Sequence, residues 1–298
     1  MRDDATSHII CRDLFKIYKR ADLEVVALRG LDMEVATGEM VAILGSSGSG
    51  KSTLLNILAG LDTPSAGHIK VANRDLLNIS DVGLVMYRRL DVGFVWQVPS
   101  RNLVPYLSAV ENVALPMAIA GVQEQERRSR AIELLNAFGL ANKLDRQPHQ
   151  LSGGEQQRVA IALAIANAPP LILADEPTGE LDTESAAEVF ALLESLNQQL
   201  GVTVVIVTHD VSVVDYVDRV INIRDGKISS ETVVTNSGRE ESGRRVENYL
   251  VVDKAGRLQL PADVIDRFGI GSRVKLGNQD GYLTIKSEGY SDSDETDG

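Results

Sequence analysis

The alternation of apolar and polar positions divides the chain into elements. Ile9-Ile10-Cys11, Val25-Val26-Ala27-Leu28 and Leu31-Asp32-Met33-Glu34-Val35 read as short strands, the last alternating as an antiparallel strand with one wet face does. Residues 41–44 are apolar throughout, which suits a strand covered on both faces. Leu54, Leu55, Ile57 and Leu58 then recur at helical spacing. Strands are predicted again at 67–71, at 92–96, at 171–176 and over the β-branched run 202–207. Between them, 110–120 and 123–140 show helical periodicity, so a helical insertion at about 99–152 interrupts an α/β domain. A further helix is predicted over 159–168.

Between the strand ending at Leu44 and the helix beginning near Lys51 stands Gly45-Ser46-Ser47-Gly48-Ser49-Gly50-Lys51-Ser52-Thr53. This is the spacing G-x-x-x-x-G-K-S of a phosphate-binding P-loop, in the strand–loop–helix context that the motif requires. The β- and γ-phosphates of a nucleotide carry dense negative charge and need many donors at close range. Glycines at 45, 48 and 50 let the backbone curl so that successive N–H groups point inward. The helix start adds free amides and a positive dipole end. Lys51 is expected to reach the β/γ oxygens, and the hydroxyl of Ser52 to ligate Mg²⁺. The chain is thus expected to bind a nucleoside triphosphate.

Other candidates follow from position. Leu171-Ile172-Leu173-Ala174-Asp175-Glu176 is an apolar strand ending in two carboxylates. Adjacent strand residues point to opposite faces, so Asp175 is expected to hold Mg²⁺ and Glu176 to polarise the attacking water. His209 follows strand 202–207, at the strand end where parallel sheets place ligands. Gln97 ends the strand 92–96, where it reads either as a cap or as a γ-phosphate contact and metal ligand. Tyr18, in the polar stretch Lys16-Ile17-Tyr18-Lys19-Arg20, reads as a surface tyrosine in a loop or as a platform for adenine.

Composition narrows the class. A formal charge of −12 argues against generic nucleic-acid binding. The single cysteine, Cys11, cannot form an internal disulfide and suits a reducing compartment. No apolar stretch follows the acidic start as in a secretory signal, and 159–174 is too short and too broken to span a bilayer. A membrane role is therefore expected to come through a partner.

Together the first 228 residues resemble an ABC-type ATPase subunit. The P-loop is one of several separated motifs: Gln97 is similar to the Q-loop, Leu151-Ser152-Gly153-Gly154-Glu155 to the signature LSGGQ, and 171–176 to Walker B. Leu181-Asp182 matches the D-loop, His209 the switch histidine and Tyr18 the A-loop aromatic. Gly93-Phe94-Val95-Trp96-Gln97 and Glu111-Asn112-Val113-Ala114-Leu115-Pro116 resemble the lipoprotein-releasing, macrolide-efflux and cell-division branch. Glu180, Leu163 and Trp96 depart from that pattern without removing a charge the chemistry needs. The resemblance implies a P-loop NTPase with a RecA-like core, an antiparallel β subdomain and a helical insertion. It also implies a homodimer with ATP and Mg²⁺ at the interface, where Ser152, Gly153, Gly154 and Asp182 of one copy complete the other's site. An integral-membrane permease is the implied partner, with the protein cytoplasmic and peripheral on the inner face of the membrane. A regulatory ATPase that drives a membrane partner without moving cargo is the alternative.

Past residue 228 the texture changes. Residues 229–245 are rich in Ser, Glu, Arg and Thr and read as a linker. Residues 246–290 read as a small β-β-α-β-β domain: strands 249–253 and 257–261, a helix 262–268, and strands 273–276 and 282–285 around an Asp280-Gly281 turn. This order is similar to the AbrB-like swapped-hairpin domain, which implies dimerisation. The segment holds six basic and six acidic residues, and 291–298 is an acidic tail, so DNA binding is disfavoured.

Overall fold

The structure, a computed structural model, describes residues 7–20, 23–235, 245–279 and 282–287. It divides into two units, Met1–Tyr249 and Leu250–Gly298.

In the first unit, β1 (Ser7–Arg20) and β2 (Leu23–Ala36) are long antiparallel partners rather than several short strands. Tyr18 therefore lies in a strand and not in a loop. Register shifts at Cys11/Leu14 and Lys16/Ile17 break the apolar alternation, so the sequence reads as fragments where the backbone runs on. After β3 (Met40–Leu44) and α1 (Lys51–Leu58), β4 (Ala66–Val71) and β5 (Arg74–Asp75) complete a four-stranded sheet ordered β2-β1-β4-β5. A short helix α2 (Asp81–Met86) and a π-helical turn, Tyr87–Asp91, precede β6 (Val92–Val95).

The insertion holds α3 (Ala109–Ile119) and α4 (Glu124–Ala137). Asn112 is fully buried within it: its amide accepts from Val104 N (2.7 Å) and donates to the carbonyls of Val104, Leu107 and Ser108. Helix α5 spans Gly153–Ala164, six residues earlier than the periodicity predicts, because the two glycines of the signature are already helical.

Next come β7 (Leu171–Asp175), α6 (Thr183–Leu200), β8 (Thr203–Val207), β9 (Arg219–Arg224), β10 (Lys227–Thr235) and β11 (Arg245–Leu250). The large sheet is ordered β11-β10-β9-β3-β8-β7-β6, with β9, β3, β8, β7 and β6 parallel. Its strands separate two cores by simple alternation. Met40, Ala42, Ile172, Val204 and Ile206 face one core with α3–α6, while Val41, Ile43, Leu173, Val205 and Val207 face the other with α1 and the antiparallel sheet. Burial on both faces explains the continuous apolar runs. The parallel strands thereby point the P-loop, Gln97, Asp175 and His209 out of one sheet end.

The sheet also takes in part of the expected linker: residues 229–235 pair with β9, and β11 carries the main sheet as far as Leu250. Residues 236–244 of that linker lie outside the described residues.

The second unit contains α7 (Ala262–Arg267) and an antiparallel pair, β12 (Val274–Gln279) and β13 (Tyr282–Ser287). Of the two strands expected first, 249–253 reaches only Leu250, as the end of β11 in the main sheet, and 257–261 is absent; between them Asp253 holds a turn, its carboxylate accepting from Ala255 N and Arg257 N at 2.9 Å. The expected Asp280-Gly281 turn and the tail 291–298 lie outside the described residues.

Candidate active site

The P-loop is pressed between two strands. A Cβ on Gly45 would stand 2.3 Å from the Ile223 carbonyl of β9, and one on Gly50, at φ +104°, would stand 2.6 Å from the Ala27 carbonyl of β2. Neither position admits an L side chain. No side chain caps α1, so its first-turn amides remain available to an anion. Lys51 is buried and folded back on its own loop, with Nζ donating to the carbonyls of Gly45 (2.7 Å) and Ser46 (3.0 Å).

Opposite Lys51 stand the acids. Asp175 closes β7 with Oδ1 3.4 Å from the Ser52 hydroxyl. Burial, then the neighbouring Glu176 charge, pushes its carboxyl above the usual range, against the pull of Ser52, Lys51 and Arg101. Glu176 is not the next strand residue. It sits at φ 47°, in the left-handed region, with its N–H donating to Val207 O at 2.7 Å. The turn brings its carboxylate to the same cleft as Asp175 instead of the opposite face. Glu176 Oε2 accepts from the His209 N–H at 3.2 Å and lies 2.9 Å from His209 Nδ1. Gln97 packs here too: its Nε2 is 2.9 Å from where a Cβ on Gly179 would lie.

These groups share one cleft of about 620 Å³, which runs from Tyr18 and Val25–Ala27 past the P-loop to Gln97, Glu176 and His209. At its far end the Tyr18 hydroxyl donates to Asp62 at 2.7 Å. Among the described residues, no three His, Cys, Asp or Glu side chains gather into a metal site. The cation donors on offer, Ser52 and Asp175, are hard oxygens. They fit Mg²⁺ that takes its remaining ligands from phosphate and water.

The signature is not brought to this cleft. Ser152 caps α5, accepting from Glu155 N at 3.2 Å, while Glu155 accepts from Ser152 N at 2.9 Å. This reciprocal box gives glutamate in the fifth place a structural reason, since either Glu or Gln closes it. Asp182 similarly caps α6, accepting from Ser185 N (2.9 Å) and Ser185 Oγ (3.0 Å).

The sequence reading missed the residues that moor Trp96, next to Gln97. Its N–H donates to Asn102 Oδ1 at 2.9 Å, and its carbonyl accepts from the buried Gln157 of α5 at 3.4 Å. Its ring lies 4.2 Å from that of Phe94. An asparagine in a loop carries no sequence signal for such a role. A separate, mainly apolar groove of about 470 Å³ runs between the β6 edge and α3, lined by Val85, Arg88, Arg89, Leu115, Pro116 and Ile119 among others. Among the described residues, no helix is long and apolar enough to cross a membrane.

A P-loop at the carboxyl end of a parallel sheet, facing a carboxylate–histidine pair, defines a nucleoside triphosphatase of the P-loop class. The model of the ABC transporter family matches residues 28–179. The chain is 50% identical over 216 residues to an ABC transporter ATP-binding protein of Thermotoga maritima, covering 72% of this chain and 91% of that one. It is 43% identical over 219 residues to the lipoprotein-releasing system ATP-binding protein LolD of Geobacter metallireducens, covering 74% and 96%. Against the macrolide export ATP-binding/permease protein MacB of Syntrophobacter fumaroxidans, identity is 45% over 223 residues. That match covers 74% of this chain but 31% of the relative, about a third of its length. Among solved structures, the ATP-binding cassette MJ0796 in a dimeric, post-hydrolysis state bound to ADP and Pi superimposes with a TM-score of 0.70 at 41% identity, covering 76% of this chain and 98% of that one. The chain belongs to the ABC transporter family and is an ATPase of the LolD/MacB type.

Proposed function

We propose that two copies of this chain close around two ATP molecules and that the closure drives a membrane permease. The adenine stacks on Tyr18. The amides of 46–50 and the first turn of α1 hold the phosphates, and Lys51 exchanges its two loop carbonyls for β/γ oxygens. Ser52, Asp175 and Gln97 hold Mg²⁺, which when bound neutralises charge on the phosphates. Glu176 accepts the proton of the attacking water, and His209 orients that carboxylate from two directions. Ser152, Gly153, Gly154 and Asp182 serve the partner copy's nucleotide. This reading is supported by their absence from their own chain's cleft and by the exposure of Ser152, Gly153 and Asp182. The solved cassette similar to this chain is itself a dimer.

The permease is inferred from relatives in which ATP-binding and permease parts share one name. Its cytoplasmic segment would occupy the apolar groove beside α3, with Gln97 and Trp96 carrying nucleotide state to that groove. The chain would then work in the cytoplasm, on the inner membrane face. Of residues 246–290, the part that follows β11 is proposed as an AbrB-like dimer module, since 246–250 already belong to the main sheet. The exposure of Leu276, Tyr282 and Leu283 on β12 and β13 supports a second copy as the cover, because a lone two-stranded hairpin is marginal in water. Its balanced charge keeps DNA from being the favoured partner.

The observation that carries this reading is the Glu176–His209 pair facing Lys51 and Ser52 across a single cleft. The test is light scattering of Glu176→Gln with Mg-ATP, alone and combined with Ser152→Ala. A nucleotide-dependent, more compact dimer in the first that is lost in the second is expected, whatever association residues 246–290 maintain without nucleotide. Persistent monomers in the first would end the two-copy reading.

A further inference from the structure

Tyr18 does not stand alone. Its hydroxyl donates to Asp62 Oδ2 at 2.7 Å, with the Thr53 side chain also in hydrogen-bonding reach. The other oxygen of Asp62 accepts from Lys16 Nζ and from Thr63 N, and Lys16 Nζ also donates to Thr63 O at 2.8 Å. The same ammonium lies 4.8 Å from the centre of the Tyr18 ring. Asp62 lies just past α1 and is tied to its last turn, since the N–H groups of Leu61 and Asp62 both donate to Asn56 O. One carboxylate thus ties β1, which carries the aromatic ring, to the far end of the helix whose start forms the P-loop.

The physical consequence is orientation. Tyrosine χ2 is a broad torsion, so an exposed ring holds a stacking geometry only when something fixes it. Here the hydroxyl is held at one end and a cation occupies one face, which leaves a single face for a planar base. Burial works against ionisation of Asp62, yet the bonds from Lys16, Tyr18 and Thr63 hold its carboxyl below the usual range, as a permanent acceptor.

We propose that Asp62 is a positioning residue for base recognition: it fixes the Tyr18 ring at a set distance from the P-loop and so decides how tightly a triphosphate with a base is held. This rests on the reading of Tyr18 as the adenine platform. A base–aromatic stack contributes about 1–3 kcal/mol, roughly five- to 150-fold in affinity. Loss of orientation forfeits part of that and leaves phosphate contacts alone.

The experiment uses the full-length protein and two probes, Mg-ATP and Mg-tripolyphosphate, the second having no base. Asp62→Ala is expected to raise Kd and KM for ATP about tenfold, with kcat at saturation and tripolyphosphate affinity unchanged. Asp62→Asn, whose oxygen keeps Lys16 and Thr63 N–H while its amide N–H donates to the Tyr18 hydroxyl, should restore most of the ATP affinity. Tyr18→Ala is the control. If it weakens ATP while Asp62→Ala does not, the role of Asp62 is refuted and the platform stands. If Tyr18→Ala leaves ATP affinity intact, the platform reading itself fails. Equal weakening of both probes by Asp62→Ala would mean that Asp62 only supports the P-loop helix, and would also overturn the proposal. Should Asp62→Ala not fold, Tyr18→Phe, which keeps the ring and loses the bond to Asp62, decides: a several-fold weaker ATP affinity with tripolyphosphate unchanged supports the positioning role, and an ATP affinity equal to wild type refutes it.

Discussion

Glu176 receives His209 twice, through the backbone N–H at 3.2 Å and at Nδ1 at 2.9 Å, on the same carboxylate oxygen. The other oxygen is left for a water molecule. Glu176→Gln keeps the shape and loses the base, so ATP binding should persist while turnover falls by about 10²–10⁴. Phosphate release under saturating Mg-ATP measures this. Near-normal turnover would discredit the assignment.

His209→Ala removes the side-chain contact but not the backbone N–H. Turnover should fall less than in Glu176→Gln, by about tenfold to a hundredfold, with KM for ATP little changed. Steady-state kinetics of the two variants side by side checks the order.

Asp175 is expected to show a stability cost. Its folded pKa is raised by burial and by Glu176, so the nucleotide-free protein binds this proton more tightly than the unfolded chain does. The associated stability is present below the ordinary carboxylate pKa and is lost as pH rises through the folded value. Asp175→Asn should therefore melt higher than wild type at neutral pH without nucleotide, and the gap should narrow as pH falls towards the carboxylate range. Calorimetry across that range reads it, while Mg²⁺-dependent ATP binding in the same variant should weaken.

The capping box at α5 gives a paired test. Glu155→Gln preserves both bonds and should leave turnover within about twofold, whereas Glu155→Ala should cost about 1 kcal/mol of stability. Denaturant unfolding separates them. Asn112→Ala, which strands the Val104 amide and the Leu107 carbonyl inside the insertion while the Val104 and Ser108 carbonyls keep backbone donors, should cost about 2–3 kcal/mol by the same measurement.

Much of this site was legible in the sequence because its parts obey local rules. The P-loop needs glycines at fixed spacing, and strands buried on both faces show as unbroken apolar runs that end at the cleft. What stayed hidden depends on non-local geometry. The left-handed turn at Glu176, which turns the carboxylate into the cleft, has no marker beyond Pro177 after it. Bulges in β1 disguised a continuous strand and put Tyr18 in an apparent loop. Residues 229–235 look like a linker by composition, yet the free edge of β9 recruits them.

Trp96 is the single tryptophan of the chain, moored by Asn102 and Gln157, with its ring packed at a tilt of 44° against Phe94. The chain's lone indole thus stands one residue before Gln97, at the edge of the insertion. On the proposed reading, its emission is expected to change, without any label and in the unmodified protein, when nucleotide rearranges that region.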